Sequence, residues 1–263
     1  MLLTDYLSSV LKQLETHYNT MGEALPQPIL EKTGSGVHFR HEQYSDSLLS
    51  YLKGIKLLST LNAALILYQH GHAQEVGALC RMADDFCNEI LFFVKPLGNA
   101  GPSRDQVRMF EDFFREEFEN PENPLASSQD RNTVPRRKIN AAFGQLVSNE
   151  LNPHDAQNTL STIHKAFSGY VHGAYPHIME MYGGNPPRFH MAGMPGTPRM
   201  DEWNDQLVTY IYRAIMTAEL ISRKLTLPET ERSIRTLLVK YETQLQCKPT
   251  EKAETIIQRQ KKK

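Results

Sequence analysis

Residues 161–184 read STIHKAFSGYVHGAYPHIMEMYGG, a segment of helical spacing that carries three histidines and stops in two glycines. On a helix, residues four apart share a face, so Ser168 and His172 point to one place while Ile163, Phe167 and Val171 supply apolar contacts beside them. The reading is therefore a helix with an apolar platform and a polar group centred on His172. Asn152, Pro153 and Asp155 mark its start, with asparagine as the cap and proline in the first turn. Pro176 ends or kinks it, unless the chain restarts there and sets His177 and Glu180 one turn apart. Residues 183–200 hold four glycines and four prolines. That loop, with Arg188 and His190 in it, leaves the histidine helix in position to cover a pocket.

Upstream, apolar residues repeat with the same period. Leu2, Leu3, Tyr6, Leu7, Val10, Leu11 and Leu14 form a first stripe, with Thr4 or Asp5 available as a cap. Pro26, Pro28 and the glycines near residue 35 then break the period, and a loop of about twenty residues is expected there. A second helix starts near residues 44–47 and runs through Leu48, Leu52, Ile55, Leu58, Leu61 and Leu65 to Tyr68. Gly71 in QHGHA sits where a left-handed residue stops a helix, and the period resumes at once, which makes a helical hairpin. The returning helix, about 73–94, has Val76, Leu79, Cys80, Ala83, Phe86, Cys87, Ile90 and Val94 on its apolar side, with Arg81, Asp84, Asp85, Asn88 and Glu89 among them. Arg81 and Asp85 are spaced for an ion pair along the helix. Two readings stay open: an exposed pair, or a partly internal one, because Met82 and Phe92 make this helix apolar over much of its circumference.

Ser103 caps a further amphipathic helix, rich in phenylalanine and acidic residues. Residues 120–132 are polar and hold two prolines, the composition of a mobile loop. Pro135 to Lys138, PRRK, opens a helix with Ile139, Ala142, Phe143, Leu146 and Val147 on its apolar side. Asp201 is read as the cap of a helix whose stripe runs from Trp203 to Ile221, and Pro228 opens the last helix. No strand and no fixed repeat emerges. The fold class is all-α, a mostly antiparallel bundle of about seven to eight helices. It divides into an N-terminal helix and loop (1–40), the bundle (41–246) and a basic tail (247–263).

With 263 residues and 40% hydrophobic content, the chain can bury a full core. Twenty-nine basic against 30 acidic residues leave a net charge of −1, with no global pull toward nucleic acid or membrane. The longest apolar runs fall short of the roughly 20 residues of a membrane span, and no leader pattern precedes the first helix. Three cysteines point to reduced thiols, and with these features to a soluble, cytoplasmic protein without membrane contact. Cys80 and Cys87 share a helix face without a CxxC pair, the pattern of core packing. The Trp203 helix and its successor show more apolar surface than one bundle face needs, and a homodimer is expected to bury it.

No standard catalytic signature is present: there is no phosphate loop, no GxSxG and no HExxH. His172, His177 and Glu180 are poorly spaced for one metal, so no metal and no cofactor is expected. Arg81, Asp85, Ser168 and His172 should instead converge where the two central helices pack, either as a buried polar clasp or as a ligand pocket.

The hairpin LYQHGH, the helix EVGALCRMADDFCNEILFF and the later FSGYVHGAY resemble bacterial all-helical domains of unknown function related to the HEPN (higher eukaryotes and prokaryotes nucleotide-binding) superfamily. In that group an Arg-x-x-x-acid helix faces a helix with Ser-x-x-x-His-Gly, here Arg81, Asp85, Ser168, His172 and Gly173. The resemblance spans roughly residues 45–225 and implies a domain that binds a small ligand, a nucleotide or RNA, in a bacterial defence or stress system. Relatives in the wider superfamily are often RNA-cleaving toxins or phage-defence factors, with an arginine separated from the histidine by four to six intervening residues. At the longest of those spacings this chain has Lys165. A metal-independent ribonuclease would use His172 as general base or acid and Arg81 or Lys165 against the phosphate, with Asp85, Ser168, Arg188 and His190 completing the ligand site.

Overall fold

The computed structural model describes residues 2–33, 36–94, 101–116, 118, 120, 123–127, 133–146 and 152–245. Most of the expected loop at 120–132, Val147 and the basic tail lie outside these residues.

The fold is an all-α bundle. Helix α1 (Leu3–Glu23) buries Tyr6, Leu7, Val10, Leu11, Leu14, Tyr18 and Met21, the expected stripe extended by two turns. Leu2 precedes it and no side chain caps it, so neither Thr4 nor Asp5 takes that role. Helix α2 (Asp46–Gln69) is capped by the Ser45 hydroxyl, which accepts the Leu48 N–H. Gly71, at φ +80°, turns the chain into α3 (Ala73–Val94). Helices α2 and α3 form the most extensive helix pair of the fold. Helix α9 (Asn204–Lys224) lies against α1, α2, α3 and α10 (Pro228–Leu245). Its Leu207, Tyr210, Ile211, Ala214, Ile215 and Ile221 are buried, each large side chain contributing about 1.5–3 kcal/mol by leaving water. The residue expected to cap α9, Asp201, instead ends the short helix α8 (Pro198–Asp201), and Trp203 holds the cap position with no side-chain bond.

The stripe of α9, one of the two helices whose apolar surface leads to the expectation of a dimer, is thus buried within its own chain, as are Ile234, Leu237 and Tyr241 of α10. Trp203 itself is 5% exposed. α1 belongs to the same core, with its stripe in one hydrophobic cluster with those of α3 and α9. A smaller cluster joins Leu49, Phe92 and Phe93 to Met109 of α4 (Arg104–Phe114) and Ile139 of α5 (Arg136–Leu146). Helix α4 opens with a reciprocal Ser103–Gln106 cap.

Two short hairpins depart from the sequence reading. Residues 26–40, expected as loop, contain β1 (Ile29–Thr33) antiparallel to β2 (Gly36–Arg40), with Leu30 opposite Phe39. The strands bury no face, since Leu30, Val37 and Phe39 are all more than half exposed, and so no buried alternation announced them. Arg40 ties the hairpin to Glu116. In the covering loop, β3 (Tyr182–Gly183) pairs with β4 (Arg188–Phe189).

Helix α6 (Pro153–Val171) starts as expected, with the Asn152 side chain accepting the His154 N–H at 2.9 Å. It ends at Val171. His172 is its cap, Gly173 follows at φ +59°, and α7 (Tyr175–Met179) restarts the chain with Pro176 in its first turn. The loop from α7 to α8 returns to the hairpin turn, where the Met194 N–H donates to the Gly71 carbonyl at 2.9 Å. Among the described residues no helix is long and apolar enough to cross a membrane.

Candidate functional site

The polar face of α3 presents Arg81, Asp84, Asp85 and Asn88, spaced three or four apart and therefore stacked along one side. Three other helices meet it. Arg136, at the start of α5, bonds Asp85 and reaches Asp84 at 2.6 Å. Its Nε donates to Asn140 Oδ1 at 3.1 Å, and Asn140 donates in turn to Ser161 of α6 at 3.4 Å. Arg213 of α9 donates to Asp84 Oδ1 at 2.8 Å and to Asn88 Oδ1 at 2.9 Å. Arg81 bonds Asp85 along α3 and places its second terminal nitrogen 2.9 Å from Nε2 of His164 on α6.

The Asp84 carboxylate is fully buried, which a charge tolerates only when paired and hydrogen-bonded. Each of its oxygens faces a different arginine. Asp85 is 30% exposed, and the Arg81, Arg136 and Arg213 side chains are 15%, 17% and 21% exposed. The lattice is therefore neither sealed nor an open cleft. Because a guanidinium only donates, His164 Nε2 accepts from Arg81 and the ring proton sits on Nδ1. That nitrogen is buried with no hydrogen-bond partner among the described residues, with Asp85 Oδ1 at 4.0 Å. Burial lowers the His164 pKa below the ordinary histidine value. Arg81 and Arg136 push it further in that direction, against the pull of Asp85 and Asp84.

Asp84, Asp85 and His164 offer ligand atoms within 4.8 Å of one another, close enough for one cation. Their chemistry argues otherwise. The carboxylate oxygens are engaged by arginines, His164 Nε2 accepts from Arg81, and three guanidiniums surround two carboxylates, leaving a local excess of positive charge.

Of the residues singled out in the sequence, Arg81 and Asp85 meet in this lattice. His172 does not join it. It is an exposed cap whose N–H donates to the Ser168 carbonyl at 3.1 Å, and it stands eight residues beyond His164, about 12 Å of helix rise. Ser168 is half-buried, and it meets His172 through this backbone bond. Lys165 and Arg188 are exposed. The His190 ring lies 3.1 Å from the Gly183 carbonyl inside its own loop. Asp84, Arg136, His164 and Arg213 were missed as site residues; the adjacent pair Asp84–Asp85 and the basic cluster at 135–138 were visible signals, while Arg213 had none.

A second constellation lies at the other end of α6. A cavity of about 310 Å³ opens between α6, α7, α8 and the start of α9, walled by Phe167, Tyr170 and Trp203. Tyr170 and Trp203 rings meet edge to face at 5.3 Å. Gly77 of α3 makes room for both, since a Cβ there would lie 2.5 Å from Tyr170 Cγ and 2.9 Å from Trp203 Cη2. His177 lies across Gly169, where a Cβ would run into its ring. Its Nε2 faces the Ala166 carbonyl at 3.1 Å. Glu180 accepts from the Tyr170 hydroxyl at 3.0 Å and from Gln74 at 3.4 Å. His177 and Glu180 thus take part in the cavity wall and in no cluster with His172.

Compared with protein-family models, curated proteins and solved structures, the chain matches none.

Proposed function

We propose that this protein is a small-molecule-binding helical domain in which the arginine–aspartate lattice is a structural clasp and the ligand enters the cavity at the end of α6. The observation that carries this reading is the cavity itself. At about 310 Å³ it sits at the lower end of the size range of small-molecule sites, with aromatic walls and several polar groups converging on it. The lattice, in contrast, pairs its guanidinium groups with its own carboxylates. Arg81 is committed to Asp85 and His164, so it is not free to meet a phosphate.

The alternative, a metal-independent ribonuclease, needs His172 and a cationic group at one phosphate. His172 is exposed beyond the end of α6, about two helical turns from the arginine lattice. A homodimer remains compatible with the binding reading but must use a surface other than the buried stripe of α9. Sedimentation at micromolar concentration separates a species of chain mass from one of twice that mass.

The test is a screen of nucleotides, amino acids and amines, read by melting temperature and by the emission of Trp203, the single tryptophan of the chain. Ala166 lines the cavity, and Ala166→Phe should fill it and abolish any response. Single-stranded RNA should stay intact with wild type and with His172→Ala alike. Cleavage lost in a stable His172→Ala protein would overturn the proposal in favour of the ribonuclease.

A further inference from the structure

The polar groups around the cavity are unbalanced, and the imbalance says what would complete them. Two carboxylates, Glu180 and Glu202, face one guanidinium, Arg199. Arg199 is already bound to Glu202 at 2.7 Å, one helical turn away on the rim. Glu180 has only neutral partners, the Tyr170 hydroxyl and the Gln74 amide. The Glu180 carboxylate therefore has hydrogen bonds but no ion-pair partner among the described residues.

The His177 ring belongs to the same wall and packs against Gly169. The Ala166 carbonyl only accepts, so the ring donates from Nε2, and in the neutral ring Nδ1 carries a lone pair. That atom is buried with no partner among the described residues. Phe167, Tyr170 and Trp203 line the cavity, and electron-rich aromatic rings favour a cation over a neutral or anionic group. Burial and the neighbouring Glu180 both raise the Tyr170 pKa, so its hydroxyl stays protonated and keeps donating to the carboxylate.

We infer that the cavity is a receptor for a small organic cation, an ammonium or guanidinium on a short apolar or aromatic body, with Glu180 as counter-charge and the Tyr170–Trp203 corner as its wall. This rests on the cavity reading above and adds the ligand's charge class to it.

Benzylamine, cationic at neutral pH, tests the inference beside its neutral and anionic counterparts benzyl alcohol and benzoate. Each is titrated into the 263-residue chain while Trp203 emission is followed. Benzylamine should bind roughly tenfold more tightly than benzyl alcohol, and benzoate should not bind. Glu180→Gln keeps an acceptor for the Tyr170 hydroxyl and removes the charge. It should erase the preference for benzylamine over benzyl alcohol. If the neutral or anionic probe binds as well as benzylamine, or Glu180→Gln leaves the preference intact, the charge assignment is wrong and the cavity reading stands. If no probe changes the emission or the melting temperature of the wild type, the cavity reading falls with it. The wild-type charge series decides the matter even if the variant does not fold.

Discussion

Replacing Asp84 by asparagine removes one charge and almost no volume from the centre of the clasp. Asp84 accepts from Arg136 on one oxygen and from Arg213 on the other, and its side chain has no exposure to water. Whichever way the new amide turns, its NH₂ group opposes a guanidinium, so one hydrogen bond becomes a donor–donor contact. Removing one partner of a buried charge pair typically costs about 3–5 kcal/mol. Here the arginines keep other acceptors, Asp85 for Arg136 and Asn88 for Arg213, and 17% and 21% of their side-chain surface for water. The expected cost therefore falls to about 3 kcal/mol, at the lower end of that range. In a domain of this size that is a fall in Tm of roughly 6–12 °C. Urea denaturation with a melting curve measures both. Asp85→Asn should cost about half as much, because Asp85 is 30% exposed and water can replace part of its pairing. A change below about 1 kcal/mol for Asp84→Asn would refute the claim that the lattice holds α3, α5 and α9 together.

Stability should rise with pH through the acid range. Burial lowers the folded-state pKa of His17 and His164, so the unfolded chain takes up protons that the folded chain refuses as pH falls through about 6.5. Urea midpoints should therefore increase from about pH 5 to 7, and His164→Gln should flatten that slope; an unchanged slope would remove His164 from the account. Gly169→Ala drives a methyl into the His177 ring and should disturb α7 and weaken benzylamine binding, at a cost of about 1–3 kcal/mol in stability. The two ends of α6 should act independently, since His164 and Tyr170 are separated by about 9 Å of helix rise. The stability changes of Asp84→Asn and Glu180→Gln should add within about 0.5 kcal/mol, and a larger coupling in a double-mutant cycle would make the clasp and the cavity one site.

What the sequence made legible follows from the range of the interactions involved. The stripes of α1, α2, α3 and α9 repeat every three to four residues, so each could be read inside its own window; those of α1, α3 and α9 face the core, while in α2 Ile55 of the expected stripe is exposed and Leu49, Leu57 and Ala64 are buried beside Leu48, Leu58, Leu61 and Leu65. The Arg81–Asp85 pair lies within one turn and was legible for the same reason. The opposing partners were not. Arg213 reaches Asp84 across 129 residues of chain and Arg136 reaches it across 52, distances that depend on how α9 and α5 cross α3. The β1–β2 hairpin escaped notice because its apolar residues stay in water, so the alternation that betrays a half-buried strand carried no burial with it.

His172 shows where a local rule was applied one residue too far. Pairing it with Ser168 assumes that the helix continues through position 172, and the chain says otherwise twice in the same two letters. At 70–71 and at 172–173 a histidine is followed by glycine, and at both places the histidine is the helix cap and the glycine takes a positive φ, +80° and +59°. A left-handed glycine just past the cap is how helices commonly stop, because it lets the last carbonyls find partners that a side chain at Cβ would obstruct. At the second site the Ala174 N–H donates back to Gly169 and the His172 N–H to Ser168, which closes α6. Reading His-Gly as a stop at both places, rather than at the first alone, ends α6 at Val171 and frees residues 174–180 to turn. That turn brings His177 across Gly169 and Glu180 up to the Tyr170 hydroxyl. The cavity therefore depends on the same stop that removes His172 from the site.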